Sequence, residues 1–314
     1  MPPVLAVVVP AYNEEPVLEE TAAKLVSTLD ELRAKSKIHP SSFIYFVDDG
    51  SRDRTWEIIE NLHRAKGVVK GLRLSRNAGH QNALLAGLLE VRNRMDCVVT
   101  IDADLQDDLS IIESMVDHFS AGHDIVYGVR KERNEDSFFK KYTALFFYRL
   151  MQWMGVELIY NHADYRLASR RVIDCLSDFR EVNLFLRGIF PLIGFSSAEV
   201  YYDRKKRLAG ESKYSFRKMI SFALNGITSF SVTPLRVVTI TGFLISFVTL
   251  LMSIWVLLGF LRGMTVPGWA STVLPFYLLG GFQILSIGLI GEYIGKIYKE
   301  VKARPRFIKE TELF

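Results

Sequence analysis

Cysteine is scarce in this chain: only Cys97 and Cys175 occur among 314 residues. Two cysteines cannot build the disulfide framework that stabilises many small secreted domains. Each lies in an apolar or helix-like stretch, so we interpret both as buried thiols of a protein from a reducing compartment. A disulfide-rich extracellular module is therefore excluded.

The N-terminus lacks the features of a secretory signal peptide. The stretch MPPVLAVVVPAYNEE has no basic n-region, and its apolar run is shorter than a signal peptide requires. Its prolines and its V-x-V pattern instead predict a first β-strand. The formal net charge of +4 is small, and we expect no nucleic-acid partner.

Two common nucleotide-binding signatures are also missing. No G-x-G-x-x-G follows the first predicted strand, and no G-x-x-x-x-G-K-[ST] occurs, so nicotinamide and P-loop chemistry have no support. The histidines show no metal-ligand spacing, and we interpret them as surface or structural residues, with His80 and His162 as exceptions only because of their neighbourhood. The histidines of the chain are His39, His63, His80, His118, His123 and His162.

From residue 4 to about residue 130, strand-like runs alternate with helix-like segments. This alternation predicts an α/β fold with a mostly parallel sheet that is covered on both faces. Ligands of such sheets bind beyond the carboxyl ends of the strands. The predicted strands are VLAVVVP, FIYFVDDGS, VVKGLRLS, DCVVTID and DIVYGVR.

The fourth predicted strand ends in a crowd of acids, VVTIDADLQDD over residues 98–108. Asp102 and Asp104 are two positions apart on an extended segment, so their side chains point to the same face. Two carboxylates, with Gln106 or water, suit a hard divalent cation such as Mg²⁺ or Mn²⁺. Because Mg²⁺ is usually completed by phosphate oxygens, the pattern predicts a phosphorylated ligand.

Two long apolar runs follow the α/β region. Val237–Leu261 has 25 uncharged residues and Ala270–Gly291 has 22, which predicts two transmembrane helices joined by a short hairpin. Residues 204–236 hold eight Lys and Arg, residues 292–314 hold six, and the hairpin holds only Arg262. The positive-inside rule then predicts that both flanks lie in the cytoplasm.

Residues 137–154 combine seven aromatic residues with three basic ones. A soluble core helix and a helix in a membrane interface both fit this composition, and we favour the interface. The predicted organisation is a catalytic domain over 1–213, a juxtamembrane amphipathic helix over 214–234, two transmembrane helices within 235–292 (about 237–261 and 270–291) and a basic cytoplasmic tail over 293–314.

The polar segments resemble a known family as an ordered set. VVVPAYNEE, VDDGSRDRT, RNAGHQNALLAG and IDADLQD are similar to successive motifs of the family 2 inverting glycosyltransferases, which have the GT-A fold. ADYRLASRRV, RLAGESKYS, ITSFSVTPLR and LIGEYIGKIYKEVKARPRF resemble the branch that glycosylates polyprenyl phosphates. That branch includes bactoprenol glucosyltransferases, dolichyl-phosphate mannose synthases and the undecaprenyl-phosphate aminoarabinose transferase.

The resemblance implies a role for particular residues. Nucleotide-sugar binding is implied for Pro10, Tyr12, Asn13, Glu14, Asp49, Ser75, Arg76, Asn77, Asp102, Ala103 and Asp104. It implies a metal site at Asp102, Asp104 and Gln106, an acceptor-phosphate site at Arg207, Ser212 and Lys213, and catalytic roles for Asp104, Asp164, Arg207 and Lys213. A solvated charge run is the other interpretation of Arg207 and Lys213.

Asp164 lies in HADYRL, where the family usually has GDFRL. Ala163 and Tyr165 therefore depart from the pattern, while the carboxylate is kept. The resemblance implies that Asp164 acts at the acceptor, either as a general base or as an orienting group, and we lean slightly towards the base.

The implied reaction is inverting transfer of one sugar from a nucleotide-diphosphate sugar to polyprenyl phosphate, with Mg²⁺ or Mn²⁺ as cofactor. We expect a UDP-linked hexose such as glucose or N-acetylglucosamine, undecaprenyl phosphate as acceptor, a multi-pass cytoplasmic-membrane enzyme with both termini inside, and a homo-oligomer. The alternatives are a mannose synthase that uses GDP-mannose and a non-catalytic scaffold or flippase component. A chain-extending synthase is disfavoured because Q-x-x-R-W is absent.

Overall fold

A computed structural model describes residues 1–104, 106–131, 162–181, 184–203, 233–261 and 268–314. The described residues form two compact units. The first unit contains every described strand, including the one within Ala303–Phe314, and the second contains two long helices.

The first unit is built around one eight-stranded sheet with the order β7-β5-β6-β4-β1-β2-β3-β8. Its strands are β1 (Leu5–Ala11), β2 (Phe43–Asp48), β3 (Val69–Leu74), β4 (Cys97–Thr100), β5 (Ile125–Arg130), β6 (His162–Ser169), β7 (Ser197–Tyr202) and β8 (Lys309–Leu313). Its helices are α1 (Leu18–Ala34), α2 (Thr55–Ala65), α3 (His80–Val91), α4 (Ile111–Ser120), α5 (Arg170–Leu176) and α6 (Leu186–Ile193), and a 3₁₀ turn covers Arg92–Arg94.

The five strands predicted from the sequence are confirmed, and the sheet is mixed, with six of its eight strands running in one direction and β6 and β8 running against them. β1 pairs in parallel with β2 and β4, β2 with β3, and β5 with β7. β6 runs antiparallel to both β4 and β5, and β8 runs antiparallel to β3. The inserted strand β6 therefore begins at the edge of the sheet where its neighbours end.

Burial explains why the central strands form where they do. Every residue of β1 and of β2 is buried, as expected for strands covered on both faces. Helix α1 packs through Leu18, Leu25 and Leu29, which recur at helical spacing and are almost fully buried. Each such leucine stabilises the fold by about 1.5–3 kcal/mol relative to an exposed one.

The second unit contains helix α7 (Thr233–Leu261) and helix α8 (Trp269–Val301). Within the part of the chain that the structure describes, no helix combines the length and the apolarity needed to cross a membrane. The predicted transmembrane hairpin is thus unconfirmed, and the prediction of a multi-pass protein of the cytoplasmic membrane is wrong.

Two predicted segments cannot be compared in the same way. The candidate interfacial helix over 137–154 lies outside the described residues, as does the juxtamembrane segment up to residue 232. At the other end of the chain, residues predicted as a tail include β8, which extends the sheet beside β3.

Candidate active site

The polar ends of the strands meet at one edge of the sheet. β1, β2, β3 and β4 all run in the same direction, so the segments after Ala11, Asp48, Leu74 and Thr100 lie together there. β6 runs the other way and pairs Arg166 with Thr100. This register brings Asp164, near the start of β6, to the same edge.

The loops after β1 and β2 are fastened to each other. The backbone N–H of Asn13 donates to Ser51 Oγ at 2.9 Å, and the backbone N–H of Arg52 donates to Asn13 Oδ1 at 2.9 Å. Asn13 adopts a left-handed backbone with φ 56°, which an asparagine tolerates better than most residues. The predicted nucleotide contact Asn13 therefore also holds two loops in register.

Asp49 fixes the loop that follows β3. Its carboxylate accepts from the backbone N–H of Ala78 at 2.6 Å and from that of Gly79 at 2.9 Å. Burial raises the pKa of Asp49, and these two hydrogen bonds counteract part of the rise. Residues 75–79, named here the donor loop, are thus held by a buried acid predicted to meet the nucleotide.

Gly50 allows the turn after β2 to approach the donor loop. It has φ +65°, and a Cβ at this position would lie 2.6 Å from the backbone carbonyl carbon of Arg76. Only glycine fits both the backbone conformation and the space. The two loops are therefore packed backbone against backbone.

We predict that Gly50→Ala destabilises the fold and weakens binding of a nucleoside diphosphate. A strained left-handed residue costs about 1–3 kcal/mol, and the clash with Arg76 must also displace the donor loop. The control is Gly122→Ala, because Gly122 has φ +99° but nothing within 4 Å of an added Cβ. Thermal unfolding and UDP titration would contradict the prediction if both variants kept the affinity of the parent protein.

The acids after β4 form an electrostatically crowded group. Burial raises the pKa of Asp102; the charges of Asp164, Asp107 and Asp104 raise it further, whereas His80 opposes the rise. Asp104 accepts from the backbone N–H of Gln106 at 3.2 Å. A nearby cation would favour the ionised form of Asp102 in this crowded group.

Gln106 provides a test of whether a cation fits. Its side-chain carbonyl oxygen Oε1 is buried and has no hydrogen-bond partner, and the residue is only 6% exposed. Among the described residues, no three His, Cys, Asp or Glu side chains form a metal-binding group. Two carboxylates and one amide oxygen nevertheless suit Mg²⁺ or Mn²⁺, which take further oxygens from phosphate and water.

Asp107 does not share this role, although it belongs to the same acidic run. Its Oδ1 accepts from the hydroxyl of Tyr202 at 2.5 Å and from Arg130 Nη2 at 3.3 Å. The Arg130 Nε also donates to the Tyr202 hydroxyl at 3.2 Å. The acid is therefore a buried anchor between the acidic loop, β5 and β7.

His80 is a member of the site that the sequence interpretation missed. As the first residue of α3, it places Nε2 3.6 Å from Asp102 Oδ1 and 3.8 Å from Asp164 Oδ2. It thus lies between the candidate metal site and the residue implied to act at the acceptor. Its position directly after the donor loop was the one available signal.

Asp164 is enclosed by positive charge. Its Oδ1 accepts from Arg166 Nη2 at 2.7 Å and from Arg187 Nε at 3.2 Å, while its Oδ2 accepts from Arg187 Nη2 at 3.0 Å. Burial alone would raise the pKa of Asp164, but the charges of Arg187 and Arg166 outweigh this effect and lower it well below the usual range. The carboxylate stays ionised and is a weak base.

The two arginines differ in access to solvent. Arg166 is completely buried, with its guanidinium 4.4 Å from the centre of the Phe190 ring, and burial lowers its pKa. The side chain of Arg187, at the start of α6, is 36% exposed. Gln81 ties α6 to α3, because its Oε1 accepts from the backbone N–H of Leu186 at 3.1 Å. Arg187 therefore borders the site, and Arg166 supports it from within.

The remaining predicted residues have varied surroundings. Pro10 is buried in β1, Ala103 is buried with its carbonyl accepting from Thr21, and Tyr12 is 40% exposed. Glu14 lies in the β1 loop, where its backbone N–H donates to Thr55 Oγ1 at 3.0 Å. Ser75, Arg76 and Asn77 are exposed on the donor loop. Arg207, Ser212 and Lys213 lie outside the described residues.

A parallel core with acidic and amide side chains beyond its carboxyl edge, and antiparallel strands inserted beside it, is a GT-A-like fold. Residues 6–177 match the family described as glycosyl transferase family 2, and the chain belongs to that family. It is therefore a glycosyltransferase.

Relatives that match over nearly the whole of both chains support this assignment. The chain is 52% identical to the uncharacterized glycosyltransferase YkoT of Bacillus subtilis over 99% of its length and 93% of the relative's. It is 37% identical to the bactoprenol glucosyl transferase of Shigella phage SfX over 97% of its length and 98% of the relative's.

One solved structure shares the fold over most of the chain. The mannosyltransferase PcManGT from Pyrobaculum calidifontis, in complex with GDP-Man and Mn²⁺, superimposes with a TM-score of 0.52 at 13% identity. The alignment covers 97% of this chain and 89% of that one. At this identity the likeness concerns the fold alone.

Proposed function

We propose that the protein transfers one sugar, with inversion, from a nucleotide-diphosphate sugar to a polyprenyl phosphate such as undecaprenyl phosphate. The observation that carries the proposal is the meeting of Asp102 and Asp164 at one edge of the sheet, with His80 within 4 Å of both. Two acids with opposite pKa shifts suit two different tasks, one at the donor and one at the acceptor.

The donor diphosphate belongs at the acidic group. Asp102, Asp104 and the orphaned amide oxygen of Gln106 would hold a divalent cation, Mg²⁺ or Mn²⁺, which would act as a Lewis acid on the diphosphate leaving group. The donor loop and the loops after β1 and β2 would enclose the nucleotide. Asp49, Tyr12 and Asn77 are the proposed contacts there.

The acceptor needs positioning more than deprotonation. A lipid phosphate has a second pKa of about 6 and is largely a dianion near neutral pH, so its oxygen is already nucleophilic. That oxygen attacks the anomeric carbon from the face opposite the nucleotide, the bond to the diphosphate oxygen breaks, and the nucleoside diphosphate leaves. No proton has to move for this exchange to balance.

Asp164 then acts as an orienting group rather than a general base. A carboxylate with a lowered pKa that accepts from two guanidiniums is poorly suited to removing a proton. Asp164 would instead hold Arg187 at the edge of the site, where a partly exposed guanidinium suits a phosphate. Arg207, Ser212 and Lys213 are the further proposed contacts of the acceptor phosphate.

A UDP-linked hexose is the proposed donor, with glucose first. The support is the 37% identity to a protein named as a bactoprenol glucosyl transferase over nearly the whole of both chains. UDP-glucose, UDP-N-acetylglucosamine and GDP-mannose would be offered with undecaprenyl phosphate in detergent and Mn²⁺. We expect an organic-extractable, mild-acid-labile glycolipid from UDP-glucose, and its absence with every donor would contradict the proposal.

A further inference from the structure

The C-terminal strand β8 lies next to the point at which the donor loop begins. β8 is the edge strand beside β3, where Leu72 pairs with Glu312 and Leu74 pairs with Lys309. The pairing continues past the end of β3, because the backbone N–H of Ser75 donates to the Ile308 carbonyl at 3.0 Å. Ser75 is the first residue of the donor loop, so β8 supports the point at which that loop begins.

Side chains fasten β8 at its far end, away from the donor loop. Phe314 packs edge-on against Phe43 at 5.3 Å between ring centres, and the Arg94 guanidinium lies 3.6 Å from the Phe314 ring centre. Arg94 also pairs with Glu312 at 3.2 Å. A five-residue edge strand of sequence KETEL has little apolar surface of its own, so these contacts add to the attachment that its backbone pairing with β3 provides.

Two ion pairs that share Arg73 connect β8 to the turn after β2. An irregularity in the β3–β8 register lies between Arg73 and Leu74, opposite the stretch that contains Glu310. Arg73 Nε is 3.5 Å from Glu310 Oε2 and 3.5 Å from Asp48 Oδ2. Asp48 is fully buried, burial raises its pKa, and its Oδ1 accepts from the backbone N–H of Ser51 at 3.0 Å.

The backbone pairing of β8 and the ion pairs of Arg73 lead to two neighbouring segments, the donor loop and the turn after β2. The Asp48–Ser51 turn contains Gly50, which packs against Arg76, and Asp49, which accepts from the donor loop. The turn therefore holds the donor loop from one side and β8 holds it from the other. A change in the balance of charge around Arg73 should displace this loop rather than the acids that follow β4.

We propose that β8 is part of the frame of the donor site, and that Glu310 is a positioning residue acting through Arg73 and Asp48. The inference rests on the proposed assignment of the donor loop to the nucleotide sugar. It adds a role for the C-terminal residues, which come after both long helices in the chain.

The test is a matched pair of charge reversals in the full-length protein, Glu310→Lys and Glu312→Lys. Each glutamate of β8 pairs with an arginine, Glu310 with Arg73 and Glu312 with Arg94. Of these two arginines, only Arg73 also pairs with Asp48. Replacing an exposed ion pair by two like charges that repel each other is expected to change the affinity for the donor by about fivefold. We expect Glu310→Lys to raise the donor KM by that factor with kcat and the acceptor KM unchanged, and Glu312→Lys to lower the melting temperature without moving the donor KM.

Hydrogen exchange separates this inference from the proposed function. Amides of residues 75–79 should lose protection in Glu310→Lys and keep it in Glu312→Lys, whichever acceptor the enzyme uses. Equal changes in both variants, or none in either, would overturn the role of Glu310. If the parent protein made no glycolipid while the exchange result held, the proposed function would fail and the structural role of β8 would stand.

Discussion

Asp104→Asn should reduce glycolipid formation by a factor of about 100 to 1,000, the size of effect seen when one group that stabilises a developing charge is removed. Asparagine keeps the shape of the side chain and an oxygen that can accept from the Gln106 N–H, as Asp104 Oδ1 does. It removes the negative charge that a divalent cation requires. The expected change is therefore in chemistry and not in folding, and thermal unfolding should differ little from that of the parent protein.

Metal binding provides a measurement that does not depend on turnover. A titration with Mn²⁺ in the presence of UDP, followed by electron paramagnetic resonance, should show that the parent protein binds the ion. The affinity for Mn²⁺ should be much lower in Asp104→Asn. Asp108→Asn is the matched control, because Asp108 lies in the same acidic run and accepts from a backbone N–H two residues on, as Asp104 does, but is not one of the proposed metal ligands. Equal Mn²⁺ affinity in all three proteins would contradict the assignment of the metal site.

The edge of the sheet could be predicted from the sequence because its signals are local. Asp102 and Asp104 follow a short apolar strand, and parallel strands bring such ends together. The roles of individual acids within one run were less accessible. Asp107 belongs to the same acidic run as Asp102 and Asp104 in the sequence, yet it is a buried anchor because Tyr202, 95 residues away, donates to it.

His80 and Arg187 were missed because their positions depend on contacts between distant segments. Arg187 reaches Asp164 only because α6 is tied to α3 by Gln81 and Leu186, which are 105 residues apart in the chain. Nothing in the sequence LRGIFPLI indicates a partner for its arginine. Such contacts require the tertiary fold to be known first.

The strand β8 and the two long helices are the elements for which sequence reasoning and the structure agree least. KETEL has three charged residues and a single apolar one, so its strand conformation depends on the exposed edge of β3 and not on propensity. The uncharged runs Val237–Leu261 and Ala270–Gly291 predicted two membrane spans, and among the described residues no helix combines the length and apolarity of a span.

Asp164→Asn and Arg187→Gln form a pair that decides how the acceptor is activated. If Asp164 holds Arg187 in place, both variants should lose at least about 100-fold in kcat/KM for undecaprenyl phosphate. If Asp164 were a general base, removing Arg187 would raise its pKa and leave it a stronger base, so Arg187→Gln would keep its activity. Steady-state kinetics with the acceptor as the varied substrate distinguish the two outcomes.

The stability of these variants should differ in a way that their activity does not. Asp164→Asn leaves the fully buried guanidinium of Arg166 without its carboxylate, which costs about 3–5 kcal/mol. Arg187→Gln removes a partly exposed charge, and Asp164 keeps Arg166 as a partner, so the loss should be smaller. Urea unfolding measures both, and a fully stable Asp164→Asn would show that the Arg166 pair does not stabilise the fold.

The pH dependence follows from the lowered pKa of Asp164. Because its carboxyl is harder to protonate in the folded than in the unfolded protein, its stabilising contribution is present above the ordinary aspartate pKa of about 3.9 and is lost as the pH falls through the lowered folded value. Asp164 therefore stays ionised throughout the range in which the enzyme can be assayed. The acid limb of kcat/KM should instead lie near pH 6, where the lipid phosphate dianion takes up a proton and becomes the less nucleophilic monoanion. A limb near pH 4 in the parent protein, absent from Asp164→Asn, would restore the carboxylate as the base.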